Sequence, residues 1–164
     1  MSNNVKNAPR ITIRKSEAGE RWEVIFDDEF RCAEWKSMDV EQRKALVAAA
    51  DSLAELGPRG GRPLIGTLIN PVHPNMKELR FVAHNGTEVW RAAFAFDPVR
   101  KAVILFAGDK QGQDEQQFYR DLLRKANTRY GMHLMRLSVE PSNLRKPSSL
   151  PGSSVDNRIR RRSR

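Results

Sequence analysis

The chain has 164 residues, 39% hydrophobic and 30% charged, which suits one globular domain of ordinary size with tails. No apolar run approaches the ~20 residues that cross a bilayer, and the first residues lack the continuous apolar stretch of a secretory signal, so a cytoplasmic protein with no membrane partner is expected. Cys32 is the single cysteine, which excludes an internal disulfide, and with no activating His or second Cys nearby it reads as a small semi-buried residue. A net charge of +9 favours a polyanionic partner, but six of those nine excess charges lie in residues 135–164, so on the folded part placement matters more than the total.

Residues 1–20 are polar and lack a sustained period; they read as a flexible arm with at most a short extended piece at Ile11–Ile13. Trp22–Phe26 (WEVIF) is rich in β-branched and aromatic residues and reads as the first strand. A short helix is expected over Phe30–Lys36. Asp39 and Gln42 have the spacing of a capping box, and Leu46, Ala49, Leu53 and Leu56 recur every three or four residues, which gathers them on one face of a second helix. Gly57-Pro58 ends it, since Gly permits a left-handed cap and Pro cannot continue the helix.

Gly57–Asn75 holds four Gly and four Pro and is expected to be a long irregular connection. Three β-like runs follow: Met76–Ala83, Val89–Phe96 and Ala102–Ala107. Asn85-Gly86 predicts a hairpin between the first two, because both residues tolerate positive φ, and Asp97-Pro98 predicts the next turn. Asp114 and Gln117 can cap a last helix whose apolar positions run from Phe118 through Leu122 and Ala126, with Gly131 as its natural stop. The order β-α-α-β-β-β-α predicts an α+β protein, a small antiparallel sheet packed against helices. After Leu134, three prolines, five serines in Ser142–Ser154 and the terminal Arg158–Arg164 run predict a disordered basic tail over 135–164, which leaves 21–134 as the folded domain.

Several chemistries are excluded by pattern. His73, His84 and His133 are scattered and make no metal-ligand pair, and the chain has no GxSxG elbow, P-loop or GxGxxG; no metal and no cofactor are expected. What remains is a set of cations and hydroxyls on the meander. Strand periodicity puts Glu78, Arg80 and Val82 on one face, and Arg91 with Val89 and Ala93 on one face of the next strand. With Lys110 after the last strand and Tyr119 one turn into the last helix, such a face could bind a phosphodiester and cleave RNA, the cations stabilising phosphorane charge and Lys110, Tyr119 or Glu78 moving protons. The plainer alternative is an Arg80–Glu78 or Arg91–Asp97 ion pair that only decorates a sheet.

The ordered series Trp22-Glu-Val-Ile-Phe26, Leu56-Gly57, Gly61-Arg62-Pro63, Met76-Lys-Glu-Leu-Arg80, Trp90-Arg91-Ala-Ala-Phe-Ala-Phe96, Leu105-Phe-Ala-Gly-Asp-Lys110 and Phe118-Tyr119 resembles the RelE/ParE toxin superfamily, nearest its phage-derived Gp49-like, HigB-like branch, over about residues 22–134. The resemblance implies a RelE-like microbial ribonuclease fold and an mRNA endoribonuclease, often ribosome-dependent, that inhibits translation as the toxin of a type II toxin–antitoxin system. It implies mRNA, the ribosome and a helix-turn-helix antitoxin as partners. Carried onto this chain, it makes Arg80, Arg91, Lys110 and Tyr119 the catalytic candidates, Tyr119 as a general base or orienting group, with Lys77, Glu78, Arg120 and Arg124 as flanking RNA-binding candidates. Glu78 stands where a lysine is usual in RelE proteins, and the usual Lys-Lys pair beside Lys110 is absent. The same fold hosts a second possibility, a non-enzymatic ParE-like inhibitor of DNA gyrase.

Overall fold

The computed structural model describes residues 21–139. The expected N-terminal arm falls outside the described residues, as do residues 140–164 of the expected tail, whereas its first residues, 135–139, are helical. The elements run β1 (Glu23–Phe26), α1 (Asp28–Cys32), α2 (Glu34–Ser37), α3 (Val40–Leu56), β2 (Ile65–Thr67), β3 (Met76–Ala83), β4 (Glu88–Phe96), β5 (Lys101–Asp109) and α4 (Glu115–Val139). The strands form one sheet in the order β1-β5-β4-β3-β2. This is the expected α+β architecture, with two differences in the sheet. Ile65–Thr67 pairs antiparallel with β3 although it lies in the stretch expected to be irregular. The other is β1, which pairs parallel to β5.

The sheet is covered on both faces. Leu46, Ala50 and Leu53 of α3, with Phe30 of α1, pack on Leu79, Phe81, Trp90, Phe94 and Ile104. On the opposite face Phe118, Leu122, Ala126 and Tyr130 of α4 pack on Met76, Ala93, Ala95, Val103 and Leu105. A register shift at Ala93/Phe94 sets Phe106 opposite Ala93 but Ile104 opposite Phe94. The extra residue, Leu105, is what lets both Leu105 and Phe106 face α4.

Local chemistry explains the boundaries. The Asp39 carboxylate accepts from the Gln42 backbone N–H at 2.9 Å while the Gln42 side chain accepts from Asp39 N–H at 2.9 Å, the reciprocal cap expected for α3. Asp114 caps α4 from one side only, accepting from Gln117 N–H at 2.8 Å. The hairpin turn places Asn85 at φ 55° and Gly86 at φ 83°. Asp97 accepts from the backbone N–H of Val99 and Lys101 at 3.0 and 2.8 Å, closing the β4–β5 turn.

Three expectations are corrected. The short helix expected over Phe30–Lys36 is two helices that break at Ala33, and it starts earlier because the Asp27 carboxylate accepts from the N–H groups of Glu29 and Phe30. Cys32 is exposed rather than semi-buried. Helix α4 does not stop at Gly131. A mid-helix glycine costs about 1 kcal/mol, but side chains on both sides of it hold the helix. Arg129 donates to Glu34 and to the Leu105 carbonyl, Tyr130 to the Phe96 carbonyl, and Arg136 to Asp27, while His133 lies 2.8 Å from Asp97. Among the described residues no helix is long and apolar enough to cross a membrane.

Gly57 ends α3 at φ 56°, ψ −149°, and a Cβ there would lie 2.5 Å from Trp22 Cδ1. Gly112 has φ 71° but open space where a Cβ would sit. Gly112→Ala therefore carries only the backbone penalty, about 1 kcal/mol, whereas Gly57→Ala adds a clash with a buried-side ring and is expected to cost at least about 2 kcal/mol. Urea midpoints of the two variants check this; equal midpoints would mean that Trp22 yields freely.

Candidate functional site

Two neighbouring strands set arginine against arginine: Arg80 of β3 pairs with Arg91 of β4. Like charges directly opposite on one face repel, so the pair needs an anion. Glu78 lies one pleat along β3 on the same face and is 2% exposed. Its Oε1 accepts from Arg80 Nε at 2.7 Å and lies 2.6 Å from Nη2, while its Oε2 lies 4.0 Å from Arg91 Nε and accepts from the Tyr119 hydroxyl at 2.9 Å. The buried carboxylate is thus held from three elements, β3, β4 and α4. Of the plainer ion pairs, Arg80–Glu78 is formed, while Asp97 pairs with His133 and not with Arg91.

A glycine on one side makes room for the cluster. Gly66 of β2 pairs with Glu78, and a Cβ there would lie 2.6 Å from Glu78 Oε1 and 2.9 Å from Arg80 Nη2. Gly108 of β5 pairs with Arg91, and a Cβ there would meet the rings of Phe106 and Phe118 at 3.1 and 3.2 Å. Arg91 donates through Nη1 to the Trp90 carbonyl at 2.9 Å, while its buried Nε has no hydrogen-bond partner among the described residues. A buried donor left without an acceptor costs about 1–3 kcal/mol.

Glu78, Arg80 and Tyr119 form one wall of a cavity of about 520 Å3, which also takes in Arg62, Thr67 and the first turn of α4. Burial first, then the hydrogen bond to Glu78 and its charge, push the Tyr119 hydroxyl above the ordinary tyrosine value of 10.0, with Arg91 pulling the other way. At neutral pH Tyr119 is therefore a proton donor. Its resting hydrogen bond is as a donor to Glu78.

The remaining sequence candidates are more dispersed. Lys110 donates from Nζ to Glu115 at 3.2 Å, so it joins the rim through the first residue of α4 instead of touching Glu78. Lys77 sits on the other side of β3, paired with Phe94 in the core beneath α3. Arg120 and Arg124 are exposed on α4 and engage Gln117 and Asp121. Sequence reasoning missed Gly66, Arg62 and Gln116. The signal for Gly66 was present in Ile65-Gly66-Thr67: a glycine between β-branched residues marks a strand that something approaches closely. Nothing comparable points to Arg62 or Gln116.

Residues 33–131 match the family of phage-derived Gp49-like proteins, and they carry the whole of this cluster. The chain belongs to the Gp49-like family. Two relatives of this Gp49-like chain come from Mycobacterium tuberculosis. The protein named "Putative toxin HigB2" is 37% identical over 117 residues, 71% of this chain and 57% of its own length. The protein named "Putative toxin HigB3" is 43% identical over 68 residues, 42% of this chain and 56% of its own length. The Gp49-like chain thus spans little more than half the length of these curated relatives. No solved structure matches it.

The chain has two tyrosines, and burial raises both: Tyr119 as above, and Tyr130 with Asp97 adding to the shift. A group whose folded pKa is raised lends stability that is whole below its unfolded value and is lost as pH climbs through the folded one. The midpoint of tyrosinate absorbance in the native protein is accordingly expected above pH 10.0, with stability declining over that same alkaline range. Either tyrosine ionising at or below 10.0 in the native state would contradict the buried Tyr119–Glu78 contact or its Tyr130 counterpart.

Proposed function

We propose that this chain is the toxin of a type II toxin–antitoxin pair and that it cuts mRNA without a metal ion. One observation carries the reading: Arg80, Arg91 and Tyr119 converge on a single buried carboxylate at the floor of an open cavity. Membership of the Gp49-like family and the toxin names of the two mycobacterial relatives support it.

In the proposed reaction the ribose 2′-oxygen attacks the adjacent phosphorus and the 5′-oxygen leaves, giving a 2′,3′-cyclic phosphate and a 5′-hydroxyl end. Negative charge builds on the non-bridging oxygens, and the Arg80 and Arg91 guanidiniums take it up, since fixed donors aimed at developing charge supply the largest share of such catalysis. Tyr119, kept protonated by its surroundings, hands its proton to the departing 5′-oxygen. Glu78, already in contact with both arginines and the tyrosine, accepts the proton lost from the 2′-hydroxyl. The ribosome would present the message, and a helix-turn-helix antitoxin would silence the toxin by covering this face. The gyrase-inhibitor alternative has no comparable observation in its favour.

Arg91 separates catalysis from folding. Removing Arg80 strips the close partner from a carboxylate that is 2% exposed, so Arg80→Ala is expected to cost ~3–5 kcal/mol of stability as well as activity. Arg91 stands 4.0 Å off, so Arg91→Ala is expected to lower RNA cleavage about a hundredfold while shifting stability by less than about 2 kcal/mol. The test is induced expression with mapping of mRNA 5′ ends, alongside urea midpoints. New mRNA ends that vanish in Arg91→Ala support the reading. DNA breaks with intact mRNA would replace it with gyrase inhibition.

A further inference from the structure

The cavity beside the Glu78 cluster is built for more than a phosphate. Its volume of about 520 Å3 lies in the range of small-molecule sites. Leu68, Ile69 and Leu123 also line it, apolar side chains for which a phosphodiester has no use. Ile69 is 81% exposed, a large hydrophobe held in solvent at the cavity's edge. Arg62 and Gln116 line the cavity as well, and neither side chain has a hydrogen bond or ion pair among the described residues. A ligand suited to this lining has a flat apolar face, a polar edge and an attached anion.

We infer that this cavity is a nucleobase subsite, holding the base next to the scissile phosphate and setting the sequence preference of cleavage. The inference rests on the proposed RNA cleavage and names what that site recognises beyond the sugar-phosphate backbone. Unpaired RNA bases are bound by burying their faces on apolar or aromatic side chains and by hydrogen bonds to their edges. Leu68, Ile69 and Leu123 supply the surface. The Gln116 amide offers both a donor and an acceptor, which is the equipment that tells one base edge from another. Arg62 adds a cation that can stack on the base or hold the next phosphate. The placement follows from the fold: Gln116 lies three residues before Tyr119 and Leu123 four after it, so one helical stripe spans the base and the proton donor.

The test pairs binding with cleavage. The four nucleoside 3′-monophosphates and inorganic phosphate are titrated into the full chain, and cut sites are mapped on a defined RNA. Expected is at least one nucleotide binding about tenfold tighter than inorganic phosphate, with most of that margin lost in Gln116→Ala or Arg62→Ala. The base preference at the cut should flatten in the same variants and stay as in wild type in Lys44→Ala, on α3 away from the cavity. The inference falls if all four nucleotides bind no tighter than inorganic phosphate, or if the two cavity variants bind and cut like wild type. Cleavage without discrimination among nucleotides sinks the subsite and leaves the RNA-cleavage reading standing. Nucleotide binding that responds to Gln116→Ala, with no RNA cut, does the reverse.

Discussion

Burying a carboxylate in mid-sheet costs several kcal/mol unless opposite charge and hydrogen bonds surround it. Glu78, at 2% exposure, imposes that condition on every element around it. Arg80 must fold back two residues along its own strand, Arg91 must come from β4, and Tyr119 must reach down from α4. β2 can pair alongside only because Gly66 leaves the carboxylate its space. The arginines in turn depend on Glu78, since without it two guanidiniums would face each other across neighbouring strands. The arrangement is therefore mutual. Two arginines set side by side are tolerable in the free protein because the cluster carries its own anion.

The position of this cluster follows from how much of the sheet α4 covers. Met76, Ala93 and Ala95 lie under the helix and are buried. Further along the same face of β3 and β4, Arg80 and Arg91 are part-exposed and Val82 is 56% exposed. Tyr119 belongs to the second turn of the helix, so it stands where the covered part of the face meets the open part. The apolar stripe that packs the helix down and the polar contact that touches the site are thus successive turns of one element.

Much of this was legible in the residues. Asp39 with Gln42, Gly57, Asn85-Gly86 and Asp114 announce their boundaries through local chemistry, because caps and tight turns are decided within four residues. The alternation along Met76–Ala83 and Val89–Phe96 was enough to set Glu78 with Arg80, and Arg91 with Ala93, on common faces. Pairing partners are another matter. That β1 runs parallel to β5, and that Ile65–Thr67 joins the sheet at all, depends on contacts between segments far apart in sequence, which a three- or four-residue strand does not encode in its own pattern. Of the candidate site, Arg80, Arg91, Glu78 and Tyr119 come together as a group, because strand periodicity carries three of them and helix capping fixes the start of the fourth's element. Lys77 was misplaced by adjacency to Glu78: neighbours in a strand point to opposite faces. Gly131 misled because a glycine's local cost was weighed without the tertiary contacts that outweigh it.

Those same contacts explain how Tyr119 is aimed. A 25-residue helix spans roughly 37 Å and behaves as a rod over its middle turns. The C-terminal half of α4 is fastened at four successive points. Arg129 grips Glu34 on α2, Tyr130 the end of β4, His133 the buried Asp97 in the β4–β5 turn, and Arg136 the buried Asp27 that caps α1. These partners come from different elements on two sides of the helix, so together they fix its rotation and its slide along the sheet. A rotation of one residue would swing Tyr119 by about 100° and carry its hydroxyl away from Glu78. The fastenings lie in the helix's second half and the site at its start, yet they are one mechanical system. The carboxylates of Glu34, Asp97 and Asp27 set where the phenol stands, and the phenol completes the neutralisation of Glu78.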